Sequence, residues 1–151
     1  MKKLHIIFLL LSIYSQAQIS FDKLNSNFHE KPKPILLFFS TKWCSYCLIQ
    51  KKQIKKDKSL FHFLNNEVYY LEVDAESHDT IYFLEKVYQP KEKLHAFVEE
   101  FISTNEQINY PYWVLISKDL RIEMTYSGLI KNKSFKILLE KYFKGPNFVT
   151  S

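Results

Sequence analysis

The feature that most restricts this chain is a pair of cysteines three positions apart, Cys44 and Cys47, set just behind an unbroken apolar run, Ile35-Leu36-Leu37-Phe38-Phe39. Lys31-Pro32-Lys33-Pro34 breaks the chain before the run, and Ser40-Thr41-Lys42-Trp43 forms a loop after it. Such a run between turn signals reads as a strand buried on both faces. From Cys44 to about Lys56 the sequence holds good helix formers and neither Gly nor Pro. The cysteines therefore fall at a strand-to-helix junction. They are the only two in the chain, and a bridge across so small a loop adds about 2 kcal/mol through chain entropy. A structural staple normally joins distant segments. This spacing instead suits reversible dithiol chemistry or half of a metal site.

The rest of the chain alternates between strand and helix patterns. Phe21 to Phe28 predicts a short helix capped by Ser20. Ser59 to Leu64 continues the helix that begins at Cys44 after a kink. Glu67 to Val73 is the second strand, and Asp74 to Ser77 a turn. Ile81, Phe83, Leu84, Val87 and Tyr88 recur at helical spacing. After Pro90, Leu94, Phe97, Val98, Phe101 and Ile102 mark an amphipathic helix. Tyr112 to Ile116 and Ile122 to Tyr126 form a hairpin around Lys118-Asp119-Leu120, ended by Gly128. Phe135 to Phe143 is the last helix, before Gly145-Pro146. The expected class is α/β, with order β-α-β-α-β-β-α and a mixed four-stranded sheet flanked by helices. Its first two strands run parallel through a right-handed crossover, and its last two are antiparallel.

Several classes are excluded. The 2 Gly are too few for a Rossmann fingerprint and too far apart for a P-loop. The net charge of +5 is mild, and the acidic stretch Glu67 to Glu85 balances the basic one from Lys51 to Lys58, so no nucleic-acid partner is expected. Met1-Lys2-Lys3, the apolar Leu4 to Ile13 and the small residues at Ser15 and Ala17 have the three parts of a secretory signal peptide. Residues 1–17 are read as that leader and 18–151 as one domain. The apolar part is too short to span a bilayer, so no stable membrane insertion is expected after cleavage. The expected location is periplasmic or secreted.

The pattern resembles the thioredoxin superfamily. The matching residues are Trp43-Cys44-Ser45-Tyr46-Cys47 behind an apolar strand, Pro111 just before the third strand, and Gly128 after the hairpin. The likeness covers roughly residues 20–144. It implies a thioredoxin-like fold over 18–151, a cis peptide bond before Pro111, and a Pro111 that faces the cysteine pair. Among subfamilies it resembles the exported bacterial thioredoxin-like proteins and the periplasmic domains of thiol:disulfide transporters.

The resemblance implies thiol–disulfide exchange, with these roles. Cys44, in the first turn of its helix, is the nucleophile, because the helix N-terminus favours a negative sulfur. Cys47 is the resolving thiol. Trp43, Tyr110 and Pro111 contact the substrate. Lys42, Ser45 and Tyr46 tune the pair, with Lys42 the one lysine close enough to act. Lys51 to Lys58 read as a solvated helix face. Two positions depart from the family. Phe38 stands where many thioredoxins bury an Asp, so Glu72, Asp74 or a water would have to accept the Cys47 proton. Tyr112 replaces a common Thr and would join Tyr46 and Tyr110 in an aromatic rim.

The expected partners are a protein disulfide or dithiol substrate and a second redox protein, with no metal or organic cofactor. The alternatives are a non-catalytic partner-binding module and a thiolate metal carrier. His29, His62, His78 and His95 show no ligand-like spacing. The segment from Val87 to Asn109 is longer than a minimal connection, and its apolar stripe reads as extra core packing rather than a lid.

Overall fold

The computed structural model describes residues 19–102 and 108–143. The leader expected over residues 1–17 lies outside them. Three of the elements in chain order are α1 (Phe21–Asn27), β1 (Ile35–Ser40) and α2 (Ser45–Lys56). Next come α3 (Lys58–Asn66), β2 (Tyr69–Asp74), β3 (Ile81–Phe83), β4 (Lys86–Tyr88) and α4 (Ala96–Glu99). The last elements among the described residues are β5 (Tyr112–Ile116), β6 (Ile122–Ser127) and α5 (Asn132–Phe143). The main sheet has strand order β2-β1-β5-β6. β1 runs parallel to β2 and antiparallel to β5, and β5 pairs antiparallel with β6. The mixed four-stranded sheet read from the sequence is therefore present.

β1 is buried at every position because it feeds two cores at once. Successive side chains point to opposite faces of a strand. Ile35, Leu37 and Phe39 pack with α1, the β3–β4 hairpin and α4. Leu36 and Phe38 pack with α2, α3 and α5, in the cluster that also holds Cys44 and Cys47. An unbroken apolar run is what a strand covered on both faces requires.

The expected kink after Lys56 is a shared cap. Asp57 ends α2 and begins α3, at φ −91° and ψ 93°. Its carboxylate accepts the Leu60 amide at 3.1 Å and the Ser59 hydroxyl at 2.9 Å, and pairs with Lys136 of α5 at 2.7 Å. The Lys136 hydrogen bond, reinforced by those from Leu60 and Ser59, outweighs burial and lowers the Asp57 carboxyl from 3.8 to about 2. A depressed carboxyl stabilises the fold above its unfolded value, and that contribution is lost as pH falls through the folded value. Asp57→Ala is therefore expected to cost about 1–2 kcal/mol at neutral pH, the usual worth of such a cap. Urea titrations should show the gap to wild type closing as pH is lowered from 4 to 2.

Two expectations are corrected between β2 and β5. Ile81 to Tyr88 is not a helix but an antiparallel hairpin, with Ile81 opposite Tyr88 and Tyr82 opposite Val87. Ile81 and Phe83 are buried while Tyr82, between them, is 55% exposed, which is a strand alternation. The same residues also fit helical spacing, and a contact distant in sequence decides the outcome. Asn25 on α1 accepts the Leu84 amide at 2.7 Å and donates to the Tyr82 carbonyl at 2.8 Å. That holds Leu84 at φ +53°, where no helix continues.

The amphipathic helix expected around Phe97 is also shorter than its stripe. α4 has 4 residues, capped by His95, whose Nδ1 accepts the Phe97 amide at 3.0 Å. Phe97 and Val98 are fully buried, so this part of the segment packs into the core, as read from the sequence.

Candidate functional site

The site forms where β1 hands over to α2. Cys44 is the N-cap of α2, and its Sγ accepts the Cys47 amide at 3.1 Å. The amide of Cys44 in turn donates to the Thr41 carbonyl at 3.2 Å, which closes the loop from β1. The two sulfurs are bonded at 2.13 Å, with Cα atoms 5.3 Å apart. Cys44 is 5% exposed and Cys47 2%. Cys47 begins the buried stripe of α2, followed by Gln50 and Ile54.

The Tyr110–Pro111 peptide bond is cis, as the family resemblance implied. The Pro111 carbonyl accepts the Gly128 amide at 2.7 Å, so the proline arm is tied to the end of β6. Gly128 has φ +102°, a conformation that glycine adopts without steric cost. A groove of about 640 Å³ runs between the two arms. Cys44, Trp43 and Tyr46 line one side, and Tyr110, Gly128 and Leu129 the other.

Trp43 and Tyr46 are the most exposed aromatic rings beside the sulfurs, at 69% and 60%. Trp43 is nonetheless held. Its indole N–H donates to both carboxylate oxygens of Glu76, at 3.0 and 3.1 Å, and its ring meets Tyr110 edge-on at 6.0 Å. Tyr110 is half-buried. Burial first, then the Glu76 and Asp74 carboxylates, push its phenol up to about 12, so it remains a neutral hydroxyl at working pH. Ser45 is exposed in the first turn of α2.

The Lys42 ammonium is nearly fully exposed and lies 4.0 Å from Asp74 Oδ2. Tyr112 does not join the rim: it is buried on the far face of the sheet, stacked on Phe39 at 6.3 Å. Alternation along β5 sends Trp113, its neighbour, to the cysteine side. Of the lysines on α2, Lys51 departs from a solvated face. Its ammonium pairs with Glu72 at 2.6 Å and sits 5.6 Å from the Phe38 ring centroid. Phe38 lies opposite Glu72 in the sheet register, and Tyr70 donates its hydroxyl to Glu72 at 3.2 Å. Burial, with Glu72 beside it, pushes the Tyr70 phenol well up. Of the two acids considered in place of a buried Asp, Glu72 is thus engaged by Lys51 and Tyr70, and Asp74 faces Lys42 and the Glu76 amide.

His95 is fully buried, with Nε2 2.9 Å from the Asp79 carbonyl and Nδ1 on Phe97, so both ring nitrogens serve the fold. Among the described residues no three of His, Cys, Asp and Glu gather as a metal-ligand set.

Sequence reasoning missed two residues of the site. Glu76 carried no local signal, because its role depends on a tryptophan 33 positions away. Gln50 carried one: it is the polar member of the stripe Cys47–Gln50–Ile54, and a polar residue on a buried helix face must find partners.

A CxxC pair at a helix N-terminus, beside a cis-proline on a β2-β1-β5-β6 sheet, defines a thioredoxin fold. A model of the thioredoxin-like domain matches residues 21–143, and the chain belongs to that family. No curated protein sequence matches it. Among solved structures it is similar to a thioredoxin-fold protein from Helicobacter pylori, at 20% identity and TM-score 0.62, over 91% of this chain and 80% of that one. It is also similar to a DsbH oxidoreductase, at 21% identity and TM-score 0.54, over 84% and 83% of the two chains. A chloroplastic thioredoxin z matches at 13% identity and TM-score 0.53, over 85% and 94%. These likenesses are of fold.

Proposed function

We propose that the protein is a thiol–disulfide oxidoreductase that acts on protein disulfides or dithiols through Cys44 and Cys47, outside the cytoplasm. One observation carries the reading. Cys44 caps α2, accepts an amide hydrogen there and lines the groove, whereas Cys47 lies deeper on the same helix. Amide donors and the helix dipole at that end stabilise a thiolate on Cys44 once the bridge is reduced. The DsbH oxidoreductase among the structural neighbours and the leader pattern over residues 1–17 support the reading.

The exchange balances without a metal or organic cofactor. The Cys44 thiolate attacks one sulfur of a substrate disulfide and expels the other as a thiolate. The Cys47 thiolate then attacks Cys44 Sγ, releases the second substrate thiolate and forms the bridge. Two electrons pass from the protein dithiol to the substrate, and a partner dithiol protein restores them. The reverse sequence oxidises a substrate dithiol. Pro111 has no amide hydrogen to offer, and the adjoining Tyr110 backbone would pair with an extended substrate strand. Trp43, fixed by Glu76, supplies a flat apolar wall beside the sulfur.

A second reading is a partner-docking domain with a passive bridge. It is favoured by Phe38, fully buried in the core cluster of Cys47 with no proton to accept or give. Thiol alkylation across a glutathione and dithiothreitol series separates the two. A single two-electron transition is expected, near about −200 mV or below for a reductant and near about −120 mV for an oxidant. Cys47→Ser should capture a mixed disulfide on Cys44. Thiols that react with no disulfide would leave the docking module.

A further inference from the structure

We propose that Gln50 is a positioning residue that selects substrates, by fixing the groove wall at Gly128 and Leu129, through Ile130, to the helix that carries the cysteines. The inference rests on the exchange reading and goes beyond it, since it names what sets the groove's preference.

Gln50 is fully buried, one turn beyond Cys47 on α2. Both polar ends of its amide go to a single residue. Nε2 donates to the Ile130 carbonyl at 3.0 Å, and Oε1 accepts the Ile130 amide at 2.8 Å. The side chain thus pairs with the β6–α5 connection as a strand would. The other end of that connection is tied to the proline arm. Gly128 donates to the Pro111 carbonyl at 2.7 Å, and Ser127 Oγ both donates to the Asn109 carbonyl at 3.0 Å and accepts the Asn109 amide at 3.3 Å. Residues 127–130 are therefore held between Pro111 and α2, and Gly128 and Leu129 within them face the groove.

An apolar side chain at 50 would complete the stripe of α2 but leave the Ile130 amide and carbonyl without the partner Gln50 gives them. What the amide adds is direction. It fixes how far Leu129 stands from Tyr46, and so the width of the cleft beside Cys44. The residues lining the groove are aromatic, aliphatic or uncharged polar. The substrate class that fits is a cysteine in an extended, uncharged and largely apolar protein segment. A small disulfide needs only the sulfur and not the wall.

The test uses the pre-reduced protein in single turnover against two disulfides, insulin and hydroxyethyl disulfide, with the reduction potential measured alongside. Gln50→Leu is expected to slow the reaction with insulin by about 10- to 100-fold, the effect of a small misplacement of a bound substrate. The rate with hydroxyethyl disulfide and the potential should stay at wild-type values. Leu129→Ala, which shortens the wall without touching the buried amide, should lower the insulin rate selectively in the same way. Equal losses with both disulfides, or no loss with either, overturn the proposal. A Leu129→Ala protein with unchanged selectivity overturns it even where Gln50→Leu does not fold. A wild type that reacts with neither disulfide sinks the exchange reading itself, and this inference with it.

Discussion

Serine in place of Cys47 is expected to turn the protein into a trap that holds its substrate covalently through Cys44. Resolution by Cys47 is intramolecular, from a sulfur already in bonding distance of Cys44 Sγ in the oxidised form. Well-placed intramolecular groups act at effective molarities of about 10⁵–10⁸ M, so an external thiol at millimolar concentration replaces Cys47 poorly. Turnover should fall on the order of a thousandfold or more, while the first attack proceeds. The asymmetry follows from placement, because Cys44 lines the groove and Cys47 is the more buried of the two. Cys44→Ser should therefore give neither turnover nor adduct. Mass spectrometry after incubation with insulin checks both variants. An adduct on Cys47 in Cys44→Ser would reverse the assignment, and no adduct on either would remove the exchange chemistry.

Much of this site was legible because its signals are local. An apolar run, a breaker on each side and a CxxC at the start of a helix pattern place Cys44 at an N-terminus without any distant contact. The hairpin of β5 and β6 was legible for the same reason, and so was the parallel pairing of β1 with β2, which a long crossover requires. Most of what failed depends on contacts far apart in sequence. Ile81 to Tyr88 fits two periods, and Asn25, more than fifty positions earlier, selects the hairpin. Tyr112, read into the rim as the residue that replaces a common Thr, is turned to the opposite core by the alternation of β5. Its strand parity was readable from Trp113 once one of the two had been assigned a face. Lys51 looks like its exposed neighbours until β2 brings Glu72 beside it. The stripe Cys47–Gln50–Ile54 is a pattern of the sequence, yet the partner of its glutamine lies 80 positions on.

Phe97→Ala is expected to destabilise the fold strongly, and to leave the chemistry of the cysteines alone. Phe97 is fully buried in a helix of only 4 residues, so it is held by packing rather than by helix propensity. Five aromatic rings surround it. Phe83, Tyr88 and Phe101 have centroids at 5.1 Å, Phe21 at 5.4 Å and Phe39 at 6.0 Å. Removing the ring leaves a cavity whose walls belong to α1, β1, the β3–β4 hairpin and the chain beyond α4. Rigid elements on several sides collapse poorly, which puts the cost at about 3–5 kcal/mol. For a domain of this size that lowers the melting temperature by about 10–20 °C. The cysteines pack on the opposite face of β1, with Leu36 and Phe38, whereas Phe97 packs with Phe39. A scan of the thermal midpoint together with the reduction potential separates the two faces. A large fall in the midpoint with an unchanged potential is the expected pair. A shift in potential of the same variant would mean that the two cores communicate through β1, and that the segment carrying Phe97 does more than pack.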